Sequence, residues 1–169
     1  STLSRPQELT ATVEESALTE VVAQRLRTPK TLPSELWLER DGARVFAGPL
    51  RTWRLSGSSV EIHADGLLSW LDRMYVIATK TYTQVDQHLI AKDLVDQWQS
   101  YYEYTHLGID TSAITPSGVL RDRTYVHTEV HNVGQRVREL GEVRNGFDVE
   151  VDPTTRELRL WYPHKGIDR

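Results

Sequence analysis

Residues 35–55 read ELWLERDGARVFAGPLRTWRL. The Asp41-Gly42 pair sits between two apolar runs, and both positions of a tight two-residue hairpin turn require positive φ, which Asp and Gly tolerate best. The spacing predicts strands over Glu35 to Leu38, Ala43 to Ala47 and Leu50 to Leu55, with Gly48-Pro49 as turn punctuation between the last two. Ser56 to Ser59 (SGSS) punctuates the chain again. In the following VEIHA, Val60, Ile62 and Ala64 alternate with Glu61 and His63, the pattern of a strand with one dry and one wet face. An antiparallel β region is therefore expected to dominate the first part of the chain.

Beyond it the period changes. After Asp65-Gly66, LLSWLDRM packs four apolar residues into the length of one or two helical turns, and MYVIATKTY returns to β character. From Asp86 to about Tyr102 the apolar positions Leu89 or Ile90, Leu94, Trp98 and Tyr101 or Tyr102 follow helical spacing, with Asp86 as the N-cap. A loop rich in Gly, Ser, Thr and Pro (Gly108 to Gly118) leads to an expected strand that runs as VLRDRTYVHTEVH to Asn132. Asn132 then caps a second amphipathic helix carrying Val133, Val137 and Leu140 on one face and extending to Arg144. The last segment, GFDVEVDPTTRELRLWY, reads as a hairpin: Phe147, Val149 and Val151 alternate with acids, Asp152-Pro153 opens the turn, and Leu158, Leu160 and Tyr162 alternate with charges. The fold class is α+β, mainly antiparallel β with two amphipathic helices inserted between strand regions. The expected organisation is a β-rich part over 1–82, a helix-containing insertion over 83–145 and a C-terminal hairpin over 146–169.

Composition bounds the chemistry. With 169 residues, 38% hydrophobic and 26% charged, the chain is long enough for a real core and has the balance of a soluble globular protein. A formal charge of −4 and a pI near 5.9 offer no overall basic face for nucleic acid. There are no cysteines, hence no disulfide, thiolate ligand or cysteine nucleophile. No run approaches the ~20 apolar residues of a membrane span, and STLSRPQ lacks the layout of a signal peptide. A chain that opens without methionine and closes on HKGIDR reads as a segment of something longer.

Four clusters qualify as candidate sites. His127 and His131 stand four apart, as in helical zinc sites, but Tyr125, Val126, Thr128 and Val130 favour a strand and no third ligand is spaced for a metal, so none is expected. His63 and Asp65 could form a base and its orienting carboxylate, yet no nucleophile elbow accompanies them, and a solvated strand end is the expectation. Asp148, Glu150 and Asp152 could line a calcium or glycosidase site, but alternation places them on the exposed face of the hairpin. YYEYTH, residues 101–106, is the densest aromatic patch, of the kind that stacks on sugars or anchors a partner. No phosphate loop is present, so neither cofactor nor catalytic residue is assigned.

The order of these pieces, from ERDGARVFAGPLRTWRL and VEIHADGLLSWLDRMYV through DQHLIAKDLVDQWQ and SGVLRDRTYV to RNGFDVEVD and RELRLWYP-x-x-G, resembles the minor tail proteins of long, non-contractile-tailed phages, especially those of actinobacterial hosts, which in turn resemble the baseplate hub proteins of the tail tip. The resemblance covers about Glu35 to Arg169 and rests on turns and aromatics. It implies a non-enzymatic virion protein, assembled in the host cytoplasm as a ring, usually a trimer, that closes the distal tail tube. Implied partners are its own copies and neighbours such as the distal tail and tape-measure proteins. In this resemblance Asp41-Gly42 maps to a hairpin turn, Gly48-Pro49 to a strand exit, Asn145-Gly146 to the exit from the second helix and Gly166 to a turn past the final hairpin. Tyr101, Tyr102, Tyr104 and Trp161 are the candidate interface residues. The alternative is a peripheral carbohydrate- or protein-binding β module for attachment to the host surface.

Overall fold

The structure, a computed structural model, describes residues 7–19, 34–101 and 107–163. The Asp41-Gly42 hairpin forms as expected, with φ of 52° and 77° at its two turn residues. It joins β2 (Glu35–Arg40) to β3 (Ala43–Ser56), and β3 turns through Gly57-Ser58 into β4 (Ser59–Asp65). β1 (Glu8–Glu14), a strand outside the expectations, pairs antiparallel with β4 and completes a sheet of order β1-β4-β3-β2.

Gly48-Pro49 is not a strand exit. β3 runs through it without a break, pairing with β2 up to Pro49 and with β4 from Leu50 onward. The physical reason lies across the sheet: a Cβ on Gly48 would sit 1.8 Å from the Asp65 carbonyl oxygen. Only glycine lets β3 pass that close to the end of β4, and Pro49, lacking an N–H, occupies the point where the ladder changes partner.

The chain after β4 supplies the core. A 3-10 segment (Leu67–Arg73) buries Leu67, Leu68, Trp70 and Leu71, and β5 (Lys80–Asp86) then leads into α1 (Gln87–Tyr101). As expected, Asp86 caps α1: its Oδ1 accepts from the His88 N–H at 2.9 Å, and its Oδ2 accepts from the Gly118 N–H at 2.7 Å, tying the helix start to the loop before β6 (Leu120–Tyr125). Burial pushes the Asp86 carboxyl up, but these donors outweigh it and hold it below the usual carboxylate range.

β6 stops six residues short of the expected end. After Tyr125 comes a 3-10 turn (His127–Glu129), then Val130 with φ of 52°, a left-handed conformation that ends any strand. Asn132 caps α2 (Val133–Glu142) through Oδ1, which accepts from Gln135 N–H at 2.9 Å, while its Nδ2 donates to the Asp72 carbonyl. One side chain therefore both starts α2 and docks it on the 3-10 segment. Gly134 permits the close approach, since a Cβ there would meet the Asp72 backbone nitrogen at 2.9 Å.

β7 (Asp148–Val151) and β8 (Leu158–Trp161) form the expected hairpin, with Val151 opposite Leu158. Asp152 Oδ1 accepts from the N–H groups of Thr154 and Thr155, both at 2.8 Å, which fixes the turn. A single cluster of buried residues, including Ala47, Leu71, Ile90, Leu94, Val137, Leu140, Phe147 and Leu158, draws on the 3-10 segment, both helices and the hairpin. The class is α+β with antiparallel sheets.

Candidate functional site

Cross-strand register decides what the four-stranded sheet presents. Val13, Val60 and Leu55 lie side by side across β1, β4 and β3, and so do Ala11, Ile62 and Trp53. Directly paired residues share a sheet face, so these rows make one face apolar. Val60 and Ile62 are buried in the middle of the rows, but Leu55 at their end is 53% exposed and Trp53 is also exposed. By the same register Leu38, opposite Phe46, adds exposed apolar surface to this face, whereas Trp37, opposite Ala47, is exposed on the other, mostly polar one. Exposed aromatic and branched side chains concentrated on adjoining strands form the kind of patch that marks a contact surface.

The opposite face is polar and internally paired. His63 Nδ1 lies 3.1 Å from Thr10 Oγ1 and His63 Nε2 lies 3.6 Å from Glu61, whose other oxygen accepts from Arg54 at 2.5 Å. Asp65 instead faces Arg51 at 3.5 Å. The partners of His63 are thus Thr10 and Glu61 rather than Asp65, the arrangement of a solvated strand end.

A charged node anchors β2 to the rest of the molecule. The Glu35 carboxylate accepts from Arg156 Nη1 at 2.9 Å and Nη2 at 3.1 Å, from Trp70 Nε1 at 3.2 Å and from Trp37 Nε1 at 3.4 Å. Arg156 also donates to the Leu107 carbonyl. Burial pushes the Glu35 carboxyl up, but the hydrogen bonds and charge of Arg156, with the two indole donors, leave it below its ordinary value. Arg44 stacks over Trp37 at 3.9 Å and reaches the turn of the β7–β8 hairpin through Pro153 O at 3.5 Å. Trp37 is consequently held in place although it is 56% exposed, which suits a rigid anchor at an interface. Nothing in the local sequence signals this node, because Glu35 and Arg156 are 121 residues apart.

The other expected residues fall in several places. Tyr101, at the C-terminal end of α1, is 67% exposed, and Trp161 on β8 is half-buried. Tyr102 and Tyr104 lie outside the described residues, as does Gly166. Trp161 stands near His88 at the start of α1, and the helix rises about 1.5 Å per residue, so Tyr101 is roughly 20 Å away along its axis. The two aromatics do not form one patch.

His127 and His131 have separate neighbours: Thr79 Oγ1 at 3.0 Å from His127 Nδ1, and Glu129 at 2.9 Å from His131 Nε2. Among the described residues no group of three or more His, Asp or Glu is placed to hold a metal ion. The expected row of exposed acids on the last hairpin is corrected in part. Asp148 is only 1% exposed, because β7 is enclosed by α2 and the 3-10 segment and Phe147, Asp148 and Val149 are all buried. Among the described residues no helix is long and apolar enough to cross a membrane. Comparison with protein-family models and with curated proteins finds no match to the chain.

Proposed function

We propose that this chain is a structural module of a phage tail tip, a hub-type minor tail protein that closes the distal end of the tail tube and connects it to host-attachment parts. The observation that carries the reading, beside the order of strands, turns and aromatics, is the half-open apolar face of the β1–β4 sheet, with Trp53 and Leu55 exposed at its end. A ring of three copies needs two different patches on each subunit, since a closed cyclic contact is isologous only in a dimer. The sheet supplies one, with Trp53 and Leu55; the exposed end of α1, with Tyr101, is suited to the other. Copies of the chain are then the principal partners, with distal tail and tape-measure proteins as axial neighbours and the virion as the site of function. No catalytic step belongs to this reading. Imaging of intact particles with the chain labelled tests it: density with threefold symmetry on the tail axis at the tip is expected, and label on the capsid or on detachable peripheral knobs overturns it.

A further inference from the structure

The four-stranded sheet has two open edges, and register fixes which backbone groups each one offers. Gly57, with φ of 62°, and Ser58 form a two-residue turn, so Ser56 and Ser59 on either side of it exchange both of their backbone hydrogen bonds. Alternation along the ladder makes Arg54–Glu61 and Thr52–His63 bonded pairs as well, and turns the N–H and C=O groups of Trp53 and Leu55 away from β4. On its other side β4 bonds to β1 through Val60, Ile62 and Ala64, opposite Val13, Ala11 and Leu9. Hydrogen bonds just past the two ends of that ladder keep the same phase: Glu15 N–H donates to Ser58 O at 2.8 Å and Gly66 N–H to Gln7 O at 2.6 Å. Glu8, Thr10, Thr12 and Glu14 therefore turn their backbone groups outward. Among the described residues no strand pairs with either edge, since β1 ends the strand order and β2 runs beside β3 only as far as Pro49.

Unpaired edges are templates for another strand, and neither of these carries a proline to block one. Their charges are opposite. From Arg51 to Ser56 the edge of β3 has two arginines and no acid, while β1 has Glu8 and Glu14 and no base. Arg54 meets Glu61 of its own sheet, yet its side chain stays 75% exposed. Pairing β3 with β3, or β1 with β1, brings like charges into one ladder, which is unfavourable.

The faces select the direction. β1 and β3 are both antiparallel to β4, so they run the same way. In a parallel ladder a residue bonds to the two neighbours of the residue it faces. Trp53 bonded to Thr10 and Thr12 of a second copy thus faces Ala11, and Leu55 bonded to Thr12 and Glu14 faces Val13. All four facing residues belong to the apolar face, and Arg54 falls diagonal to Glu14 on the polar one. An antiparallel approach sets Trp53 opposite a threonine, apolar against polar.

We propose that copies of this chain join by strand addition, the outer edge of β1 in one copy pairing in parallel with Arg51 to Ser56 of β3 in the next, so that the sheet continues from subunit to subunit. The contact is heterologous and repeats by rotation about an axis along the strands, the operation that closes a ring. It rests on the ring reading above and adds the β1 edge to the second patch of each subunit.

Sedimentation velocity of the whole chain over a concentration series tests it, with substitutions that spare the internal ladder. Thr12→Pro removes the N–H that donates to the Trp53 carbonyl of the other copy, and Leu55→Pro removes the N–H that donates to the Thr12 carbonyl. Neither N–H is used within the sheet, the position where a strand tolerates proline. The wild type is expected to associate as concentration rises, and each variant alone to stay monomeric. An equimolar mixture of the two should recover a dimer and nothing larger, because each variant keeps one sound edge. If a proline variant fails to fold, the charge exchange decides: Arg54→Glu and Glu14→Arg should each weaken association about fivefold and regain it when mixed. A wild type that stays monomeric up to its solubility limit, association unchanged in the variants, or a mixture that recovers nothing overturns the proposal. Cross-strand amide contacts by NMR that place residues 20–33 of the same chain beside Trp53 and Leu55 do the same. Particle imaging can fail to find the chain at a tail tip while these edges still pair, and a tip ring indifferent to both prolines removes the edges alone.

Discussion

In the helix-bearing half of the molecule, Leu71, Met74, Ile90, Val95, Val133, Val137, Leu140 and Phe147 are all fully enclosed, whereas in the β1–β4 sheet deep burial is concentrated on β4 and on β3 around Phe46 to Pro49. From Arg51 to Ser56 every residue of β3 is exposed, on both faces of the strand. Apolar area removed from water contributes about 25 cal/mol per Å², so the first region carries most of the folding free energy. The second keeps Trp37, Trp53 and Leu55 partly in water, where a partner can still gain by covering them. On the proposed reading, stability and association belong to different parts of one chain, and substitutions should separate them.

The largest expected effect belongs to the enclosed half. Val137 is 0% exposed and belongs to the same buried cluster as Leu140 and Leu71 of the 3-10 segment, so Val137→Asp buries a carboxylate among apolar side chains. The expected loss is about 4 kcal/mol or more, a large share of the roughly 5–15 kcal/mol that stabilises a typical domain. A urea melt in which this variant matches the wild type would show that α2 does not turn Val137 toward the core.

A Gly48→Ala substitution probes the seam between the regions. The added Cβ meets the Asp65 carbonyl oxygen at 1.8 Å and the Gly66 Cα at 2.8 Å, both backbone atoms that no side-chain rotation can clear. About 2–3 kcal/mol of destabilisation is expected, with altered amide shifts on both sides of the β3 partner change. Wild-type stability with unchanged shifts would show that β3 does not pass so close to the end of β4.

Much of this division was legible in the sequence, but only where the cause is local. The Asp41-Gly42 turn, the Asp86 and Asn132 caps and the Asp152 turn each depend on backbone groups within three residues, and each is found where the residue types place it. The failures arise from distant neighbours. Gly48-Pro49 looks like an exit until the Asp65 backbone is brought against it, and Asp148 looks exposed until α2 and the 3-10 segment cover β7. β6 ends at Tyr125 although β-formers continue, because the backbone of Val76 takes the His131 carbonyl and that of Met74 takes the Val133 N–H, at 2.9 Å each. The candidate contact surface was legible as a set of aromatics, but not its grouping: register brings Trp53 and Leu55 onto one face, and helix length separates Tyr101 from Trp161.

The Glu35–Arg156 node ties the sheet to the β7–β8 hairpin. Because the folded-state pKa of Glu35 is depressed, the unfolded chain binds its proton first as pH falls. The stabilisation is therefore complete above the ordinary carboxylate range and is lost as pH drops through the lower folded value. Glu35→Gln keeps the acceptor but removes the charge, with an expected cost of about 1–2 kcal/mol near neutral pH. Its Tm should also fall less steeply than that of the wild type between about pH 5 and about pH 3. Parallel Tm curves for the two proteins would mean that the ion pair contributes nothing to the connection.

The smallest effect on folding should come from the exposed end of the sheet, the surface that the proposed assembly would use. Leu55 is 53% exposed at the end of the Val13–Val60–Leu55 row, so Leu55→Thr removes little buried area and introduces a β-branched residue suited to a strand. Surface changes of this kind usually stay within about 0.5 kcal/mol, and the melt should be nearly that of the wild type. If the face is a subunit contact, the lost apolar area is felt only when a partner would have covered it, so the same substitution should reduce association in mass photometry of the chain with its tail neighbours and yield unstable particles. Val137→Asp and Leu55→Thr would then be complementary: one prevents folding, the other leaves a folded subunit that does not assemble. Normal particles from Leu55→Thr, together with an unchanged melt, would exclude the sheet face as a subunit contact and leave the account of the enclosed, helix-bearing half unaffected.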